Sequence, residues 1–148
     1  MQLTIAQKEM CKRIMTLHFP NYFPPNCPPE DATDEERILF RLCVNSTLSK
    51  EDFVSFYQKN PSKYKNEINA YGLSAFSSEQ ACWAARDKSP NLRAKYSRVA
   101  FGKNTPERGK TLDTPSRTSP QHITWWVYEG VEPHTFFEVC DEGGDHNE

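Results

Sequence analysis

The chain has 148 residues, the size of one domain, and its 18 basic and 20 acidic residues give a net charge of −2. Its mean hydropathy is −0.78, but aromatic residues make up 12% of the chain, which excludes a wholly disordered protein and predicts a core built on rings. No apolar run is long enough to span a membrane and the N-terminus has no apolar leader, so we expect a cytoplasmic protein.

The N-terminal segment is predicted to form a helix from Thr4 to Leu17. Thr4 and Gln7 have the spacing of a capping box, in which each side chain binds a backbone N–H of the other residue. A Pro-rich connector follows at 19–29, where five prolines exclude a helix or a central strand and favour an extended chain. Its three aromatic rings are expected to pack on the body of the domain.

The middle of the chain alternates between helix and strand signals. Residues 31–44 contain a second capping box at Thr33 and Glu36 and then an apolar run, so we predict a helical turn that enters a strand at about Ile38. Ser49 to Asp52 is predicted to start a short helix. Ser78 is predicted to cap a helix at 79–87.

The C-terminal third is predicted to be mainly strand and loop. A β-like run at 95–101 precedes a segment rich in turn formers, which we predict to be an exposed basic loop at 102–120. Ile123 to Tyr128 is the clearest strand, and His134 to Cys140 is predicted to pair back on it as a hairpin. We therefore expect one α+β domain over 1–140, with short helices on a small, mostly antiparallel sheet that ends in this hairpin. Residues 141–148 are predicted to be a disordered acidic tail.

Charge is separated along the chain. Residues 86–117 hold nine basic and three acidic residues, a net charge of +6, whereas residues 118–148 hold seven acidic residues and no Lys or Arg. The two segments either neutralise each other on the surface or leave the basic one free to meet a partner. A protein partner is favoured over a nucleic acid, because the pI of about 6.1 is low for a dedicated nucleic-acid binder. The candidate partner-binding residues are Arg93, Lys95, Arg98, Lys103, Arg108, Lys110 and Trp126.

Trp126 belongs to this set because of its position in the strand. Trp125 and Trp126 are adjacent, so their rings point to opposite faces of the sheet. One ring is expected in the core. The other lies on the outer face and is a candidate binding hot spot, unless a helix covers that face.

Two histidines flank the predicted hairpin. Its pairing would bring His122 and His134 together in an arrangement that suits acid–base chemistry or a two-histidine metal site, but hydrogen bonds to the backbone are the favoured interpretation and no metal is assigned. The five cysteines include no closely spaced pair and are predicted to be buried thiols. Pairing of Cys43 or Cys82 with His122 stays open.

A third signal is the order of polar residues. Arg41 interrupts an apolar run, Ser74 precedes a helix in YGLSAFSSEQA, and Glu129 and Glu138 come late. This order is similar to the Arg…Ser…Glu arrangement of ADP-ribosyltransferase-like domains, over three short patches of the chain. The resemblance implies that the arginine and serine help to hold NAD and that the glutamate orients the nicotinamide ribose. Arg41, Ser74, His122 and Glu129 are thus the catalytic candidates if the chain is an enzyme.

The sequence favours a non-catalytic interaction module, of the adaptor, inhibitor or immunity type, that binds a protein partner without a cofactor. This interpretation depends on the separated charges and on the lack of any strong catalytic motif. An ADP-ribosyltransferase-like enzyme that uses NAD is the first alternative. A nucleic-acid-binding accessory protein is the second.

Overall fold

The computed structural model describes residues 2, 4–8 and 17–140. A helical turn at 5–8 begins with the predicted capping box, in which the Gln7 N–H donates to Thr4 Oγ1 at 3.1 Å and the Thr4 N–H donates to Gln7 Oε1 at 2.8 Å. Residues 9–16, which complete most of the predicted first helix, and the predicted tail at 141–148 lie outside the described residues.

The other described elements are short. The strands are β1 (Arg37–Cys43), β2 (Leu73–Phe76), β3 (Arg98–Asn104), β4 (Gly109–Asp113), β5 (His122–Val127) and β6 (Glu138–Val139). The α-helices are α1 (Phe56–Lys59), α2 (Pro61–Tyr64), α3 (Glu79–Asp87) and α4 (Pro90–Lys95), and 3₁₀ helices span Lys50–Phe53, Ile68–Tyr71 and Pro133–Thr135. None of these helices has the length and apolar character that crossing a membrane requires.

The described strands form one sheet in the order β4-β5-β2-β1-β3-β6, and every pairing is antiparallel. Short helices pack against this sheet, which confirms the predicted α+β class. The C-terminal pairing differs from the expected hairpin. β5 lies between β4 and β2, whereas β6 pairs with β3 through Ala100–Val139 and Phe101–Glu138.

The strand register divides the side chains between two faces, because residues paired across strands share a face. One face, here the α3 face, carries Phe40, Phe76 and Phe101 together with Ser74, His122, Thr124 and Trp126. The other, the Trp125 face, carries the largest core cluster, which includes Leu39, Leu73, Ala75, Ala100, Ile123, Trp125 and Phe137.

Helix α3 covers part of the α3 face. Ser78 Oγ accepts the Ala81 N–H at 3.1 Å, so the helix begins and ends where its local sequence predicts. Cys82 and Ala85 are buried against Phe76 and Val99. This short helix is therefore held by its cap and by one apolar stripe.

The Pro-rich connector covers another part of the α3 face. Phe19, Phe23 and Cys27 pack with Trp126, which confirms that the connector's rings lie on the body. The predicted extended conformation is wrong, because the segment is folded into turns: the Phe23 N–H donates to the Pro20 carbonyl and the Cys27 N–H to that of Pro24, both at 3.0 Å.

Two other segments differ from their predictions because of pairing between distant residues. Thr33 makes a β-bridge with Thr111 in place of the predicted helical turn, and the two exchange N–H···O bonds of 2.9 and 2.8 Å. Residues 102–120 are not one exposed loop, since they contain the end of β3 and all of β4. Gly109 allows β4 to approach β5 closely, because a Cβ atom there would overlap the Trp126 carbonyl.

Gly102 is a second point of close contact, and its replacement by alanine is expected to destabilise the domain by about 1–3 kcal/mol. A Cβ atom at this position would overlap the Phe137 ring, which lies in the core on the Trp125 face. Urea unfolding measures the effect. Lys103→Ala, an exposed change on the same strand, is the control and should alter stability by less than about 0.5 kcal/mol.

Candidate functional site

A gap between β1 and β2 is the most unusual feature of the sheet. The two strands pair through Phe40 and Phe76, and β2 continues along β5 with Ser74 opposite Thr124. The Arg41 side chain bridges the gap: Nη1 donates to the Ser74 carbonyl at 2.5 Å and Nη2 to the Asp52 carbonyl at 2.7 Å. The first bond satisfies a backbone acceptor of β2, and the second satisfies one of the 3₁₀ helix Lys50–Phe53.

The charge of Arg41 has no carboxylate partner. No ion pair joins its guanidinium to Asp or Glu within the described chain, and the Nε atom is buried without a hydrogen-bond partner. The guanidinium carbon lies 5.2 Å from the centre of the Phe53 ring, and burial lowers the pKa of Arg41. A buried cation without an ion pair costs free energy, which the two carbonyls, the Phe53 ring and the charge of Asp52 offset in part.

Next to Arg41, four hydroxyl and imidazole groups form a continuous hydrogen-bonded chain. Ser74 Oγ bonds to His122 Nε2, and His122 Nδ1 lies 2.8 Å from Thr114 Oγ1. Thr114 Oγ1 is also 2.8 Å from Thr124 Oγ1. β2 supplies Ser74, β5 supplies His122 and Thr124, and the chain just after β4 supplies Thr114.

The surroundings of the His122 imidazole favour its neutral form. Burial lowers the pKa of His122, and the positive charge of Arg41 lowers it further against the raising effect of the Thr114 contact. A neutral ring has one donor and one acceptor nitrogen, and here both nitrogens are engaged by hydroxyls. Ser74 and His122 are both partly exposed, so the pair can meet a ligand and exchange a proton with it.

This lowered pKa predicts how stability responds to acid. The unfolded chain binds a proton at His122 near the ordinary pKa of 6.5 and the folded chain only at lower pH, so stability falls as pH drops below about 6.5. The loss should be smaller in His122→Asn than in the natural protein. Urea midpoints between about pH 7.5 and 5.5 measure it; parallel curves for the two proteins would contradict the expectation.

The two glutamates of the expected triad are not at this site. Glu129 follows the far end of β5 and is exposed in a separate cleft with Tyr22 and Tyr128. Glu138 lies on β6, and β3 separates that strand from β1. The prediction of Glu129 as a partner of Arg41 and Ser74 is therefore wrong in this structure, since the side chain that β5 places against Ser74 is His122.

No family model, curated protein or solved structure matches this chain. The resemblance to ADP-ribosyltransferase-like domains therefore depends on its own residues. Of these, Arg41 contacts the backbone carbonyl of Ser74 at the gap between β1 and β2, and His122, not a glutamate, bonds to the Ser74 hydroxyl.

His122 and His134 do not meet. His134 lies in the 3₁₀ helix Pro133–Thr135, beyond the opposite end of β5, and its Nδ1 atom is buried without a hydrogen-bond partner. The expected proximity depended on a hairpin that does not form, because β6 pairs with β3. Over residues 2, 4–8 and 17–140, no three His, Cys, Asp or Glu side chains are close enough together to hold a metal ion.

The described cysteines that were candidates for a Cys–His pair are buried thiols. Burial raises the pKa of Cys43 to about 11 and also raises that of Cys82. Burial likewise raises the pKa of Cys27 to about 12. These thiols stay protonated at neutral pH, which makes them poor nucleophiles.

Trp126 is not an exposed docking residue. Its side chain is fully buried, and Nε1 donates to the Ile68 carbonyl at 3.1 Å. The Pro-rich connector and the 3₁₀ helix Ile68–Tyr71 together cover the ring, as in the alternative that the sequence left open. This residue is thus removed from the candidate partner-binding set.

The basic candidates fall on several different elements. Helix α4 carries Arg93 and Lys95, β3 carries Arg98 and Lys103, the following turn carries Arg108, and β4 carries Lys110. Lys103 forms an ion pair with Glu36 at 2.8 Å, and Arg108 stacks 3.6 Å from the centre of the Phe136 ring. These side chains therefore do not form one continuous basic loop. The acidic tail at 141–148 lies outside the described residues.

Sequence reasoning missed two members of the hydroxyl–imidazole chain, Thr114 and Thr124. Neither lies in a local motif, and both come to Ser74 only through the pairing of β5 with β4 and β2. Thr124 had one usable signal, since it follows His122 by two residues in a strand and so shares its face. Thr114 had none.

Proposed function

We propose that this domain is an NAD-using enzyme of the ADP-ribosyltransferase type, with its site at the gap between β1 and β2. The observation that supports this most is the contact of the Arg41 guanidinium with the backbone carbonyl of Ser74, because the resemblance gives both residues a role in holding NAD. A guanidinium without an ion pair and a partly exposed hydroxyl on neighbouring strands suit a ligand that carries both phosphates and ribose hydroxyls.

His122 takes the place beside Ser74 where the resemblance expects a glutamate. A neutral imidazole can orient a hydroxyl through a ring nitrogen, as a carboxylate oxygen does, but it brings no negative charge. Under this proposal Ser74 Oγ meets the ribose, His122 orients Ser74 through Nε2, and Thr114 orients His122. Because His122 lacks the negative charge of a glutamate, we expect it to stabilise positive charge on the ribose less strongly while nicotinamide is released from NAD.

The test is release of nicotinamide from NAD by the purified full chain, followed by chromatography. Ser74→Ala should lower the rate by about tenfold or more, because it removes the hydroxyl that bonds to His122. Ser46→Ala, an exposed serine in the turn after β1, is the matched control. A natural protein that releases no nicotinamide over many hours would refute the proposal.

A protein-binding role for the basic residues is the second candidate function. The exposure of Arg93 and Lys95 on the last turn of α4 and of Lys103 on β3 favours it. Reversing the basic residues of 93–110 to glutamate should abolish co-purification of a partner, while reversal of Lys63 and Lys65 should not. A gel shift with nucleic acid in low salt tests the nucleic-acid alternative. If that alternative holds, the affinity for nucleic acid must fall steeply as the salt concentration rises.

A further inference from the structure

A second cleft lies between the Pro-rich connector and the turn that follows β5. Its volume is about 140 Å³, which is room for a few water molecules or one small headgroup. Arg41, Ser74 and His122 are not among the described residues that line it, so a ligand here is separate from the proposed function. Six aromatic rings line this space, here the aromatic cleft: Tyr22, Phe23, Phe53, Tyr71, Trp125 and Tyr128.

Two of these rings each stack on a ring outside the aromatic cleft. Tyr128 stacks on Phe19 with centroids 4.5 Å apart, and Tyr22 stacks on Tyr57 with centroids 5.4 Å apart. Neither partner ring lines the cleft. Because a stacked partner covers one face of a ring, the opposite face of each tyrosine is available to the cleft. Such faces carry partial negative charge and attract cations.

Glu129 is the only charged side chain among the described residues that line the aromatic cleft. It lies in a turn closed by the Val131 N–H, which donates to the Tyr128 carbonyl at 3.2 Å. The Glu129 N–H donates to the His18 carbonyl at 2.8 Å and ties this turn to the connector. No described Lys or Arg forms an ion pair with the exposed Glu129 carboxylate. The aromatic cleft thus combines ring faces with one negative charge.

The other polar side chains of the aromatic cleft, apart from the tyrosines, are already engaged. Ser55 Oγ accepts the Gln58 N–H at 3.2 Å, and Gln58 Oε1 accepts the Ser55 N–H at 2.9 Å. A primary ammonium group has three N–H donors to satisfy and would find few free acceptors here. A quaternary ammonium group has no N–H donor, so it needs only ring faces and a nearby negative charge.

We propose that the aromatic cleft binds the quaternary ammonium group of a small molecule. The exposed Tyr22 ring, which has 41% of its surface accessible, meets the ligand as it enters from solvent. Tyr128 supplies a second ring, and the Glu129 carboxylate supplies the counter-charge. The described lining residues include no Lys, Arg or His that would repel the ligand.

Calorimetric titration of the full chain with choline chloride at constant ionic strength tests this site. The natural protein should bind choline, and Glu129→Gln should weaken binding by at least about tenfold, because it removes the charge and keeps the size of the side chain. Glu132→Gln is the matched control. Glu132 is also exposed and lies only three residues away, but it is paired with Lys50 at 3.1 Å. Its replacement should change the affinity for choline by less than about twofold.

Two further comparisons separate the charge of the ligand from its shape and test the ring. The neutral analogue of choline, in which carbon replaces the ammonium nitrogen, should bind at least about tenfold more weakly than choline. Tyr22→Leu should weaken choline binding by about fivefold or more, whereas Tyr22→Phe keeps the ring and should stay within about twofold of the natural protein. Circular dichroism confirms that the variants are folded.

Three results would each overturn the site: no binding of choline, equal binding of its neutral analogue, or undiminished binding of choline by Glu129→Gln. A short peptide with one trimethylated lysine is titrated in parallel. If the peptide binds more tightly than choline, the assignment to a small molecule is wrong and the ligand is a modified protein. Because these titrations contain no NAD, the site and the proposed function can fail independently of each other.

Discussion

Under the proposed function, replacing Arg41 with methionine is expected to lower the rate of nicotinamide release by about 100-fold or more. The guanidinium reaches from β1 across the gap to the Ser74 carbonyl of β2, and no described carboxylate forms an ion pair with it. Stability should change little by comparison. Removing a buried unpaired charge is favourable, whereas leaving the carbonyls of Ser74 and Asp52 without a donor is unfavourable.

Arg37→Met provides the matched control for this experiment. Arg37 lies four residues away on the same strand and face, but it is paired with Asp113 of β4 at 3.0 Å. Its loss should leave nicotinamide release within about twofold of the natural rate, since exposed ion pairs contribute little. Equal rates for Arg41→Met and Arg37→Met would contradict the assigned role of Arg41.

Replacing Trp125 with alanine is expected to destabilise the domain by about 3–5 kcal/mol, enough to unfold a domain of marginal stability. The ring is fully buried and stacks on Phe137 with centroids 5.5 Å apart. Its Nε1 atom donates to Asn104 Oδ1 at 2.8 Å in the buried interior. Thermal and urea unfolding measure the loss.

Two further variants separate the causes of that effect. Trp125→Phe keeps most of the ring but leaves the buried Asn104 oxygen without a donor, so it should still cost about 1–3 kcal/mol. Phe56→Ala removes a ring that is 50% exposed and should cost less than about 1 kcal/mol. Similar losses for Trp125→Ala and Phe56→Ala would show that Trp125 is not central to the core.

Local sequence predicted the elements whose cause is local. The capping serine at Ser78 and the apolar stripe of Cys82 and Ala85 defined α3 because hydrogen bonds within one turn and one packed face suffice for such a helix. The strand at β5 followed from its alternating rings. By contrast, the capping box at Thr33 predicted a helical turn that does not form. Thr33 instead makes a β-bridge with Thr111, which is 78 residues away in the sequence.

The residues of the candidate site also divide into those that the local sequence indicated and those that only distant strand pairing brings to the site. Arg41 was chosen because it interrupts an apolar run, Ser74 because it precedes a helix, and His122 because the expected hairpin would bring it near His134. No spacing of residues in the sequence predicts that Glu129 is absent from the site or that Thr114 is present in it. Both facts follow from a strand order in which β5 pairs with β2 and β6 crosses to β3.

By itself the sequence determined the α+β class, the capped helix and the polar residues able to do chemistry, because each depends on neighbours a few residues apart. Only the tertiary structure decided that Trp126 is buried, that the basic segment contains a strand, and that Thr114 meets His122. The physical reason is that pairing across a sheet joins residues of any separation, and the free energy of that pairing and burial exceeds the weak preferences of each segment.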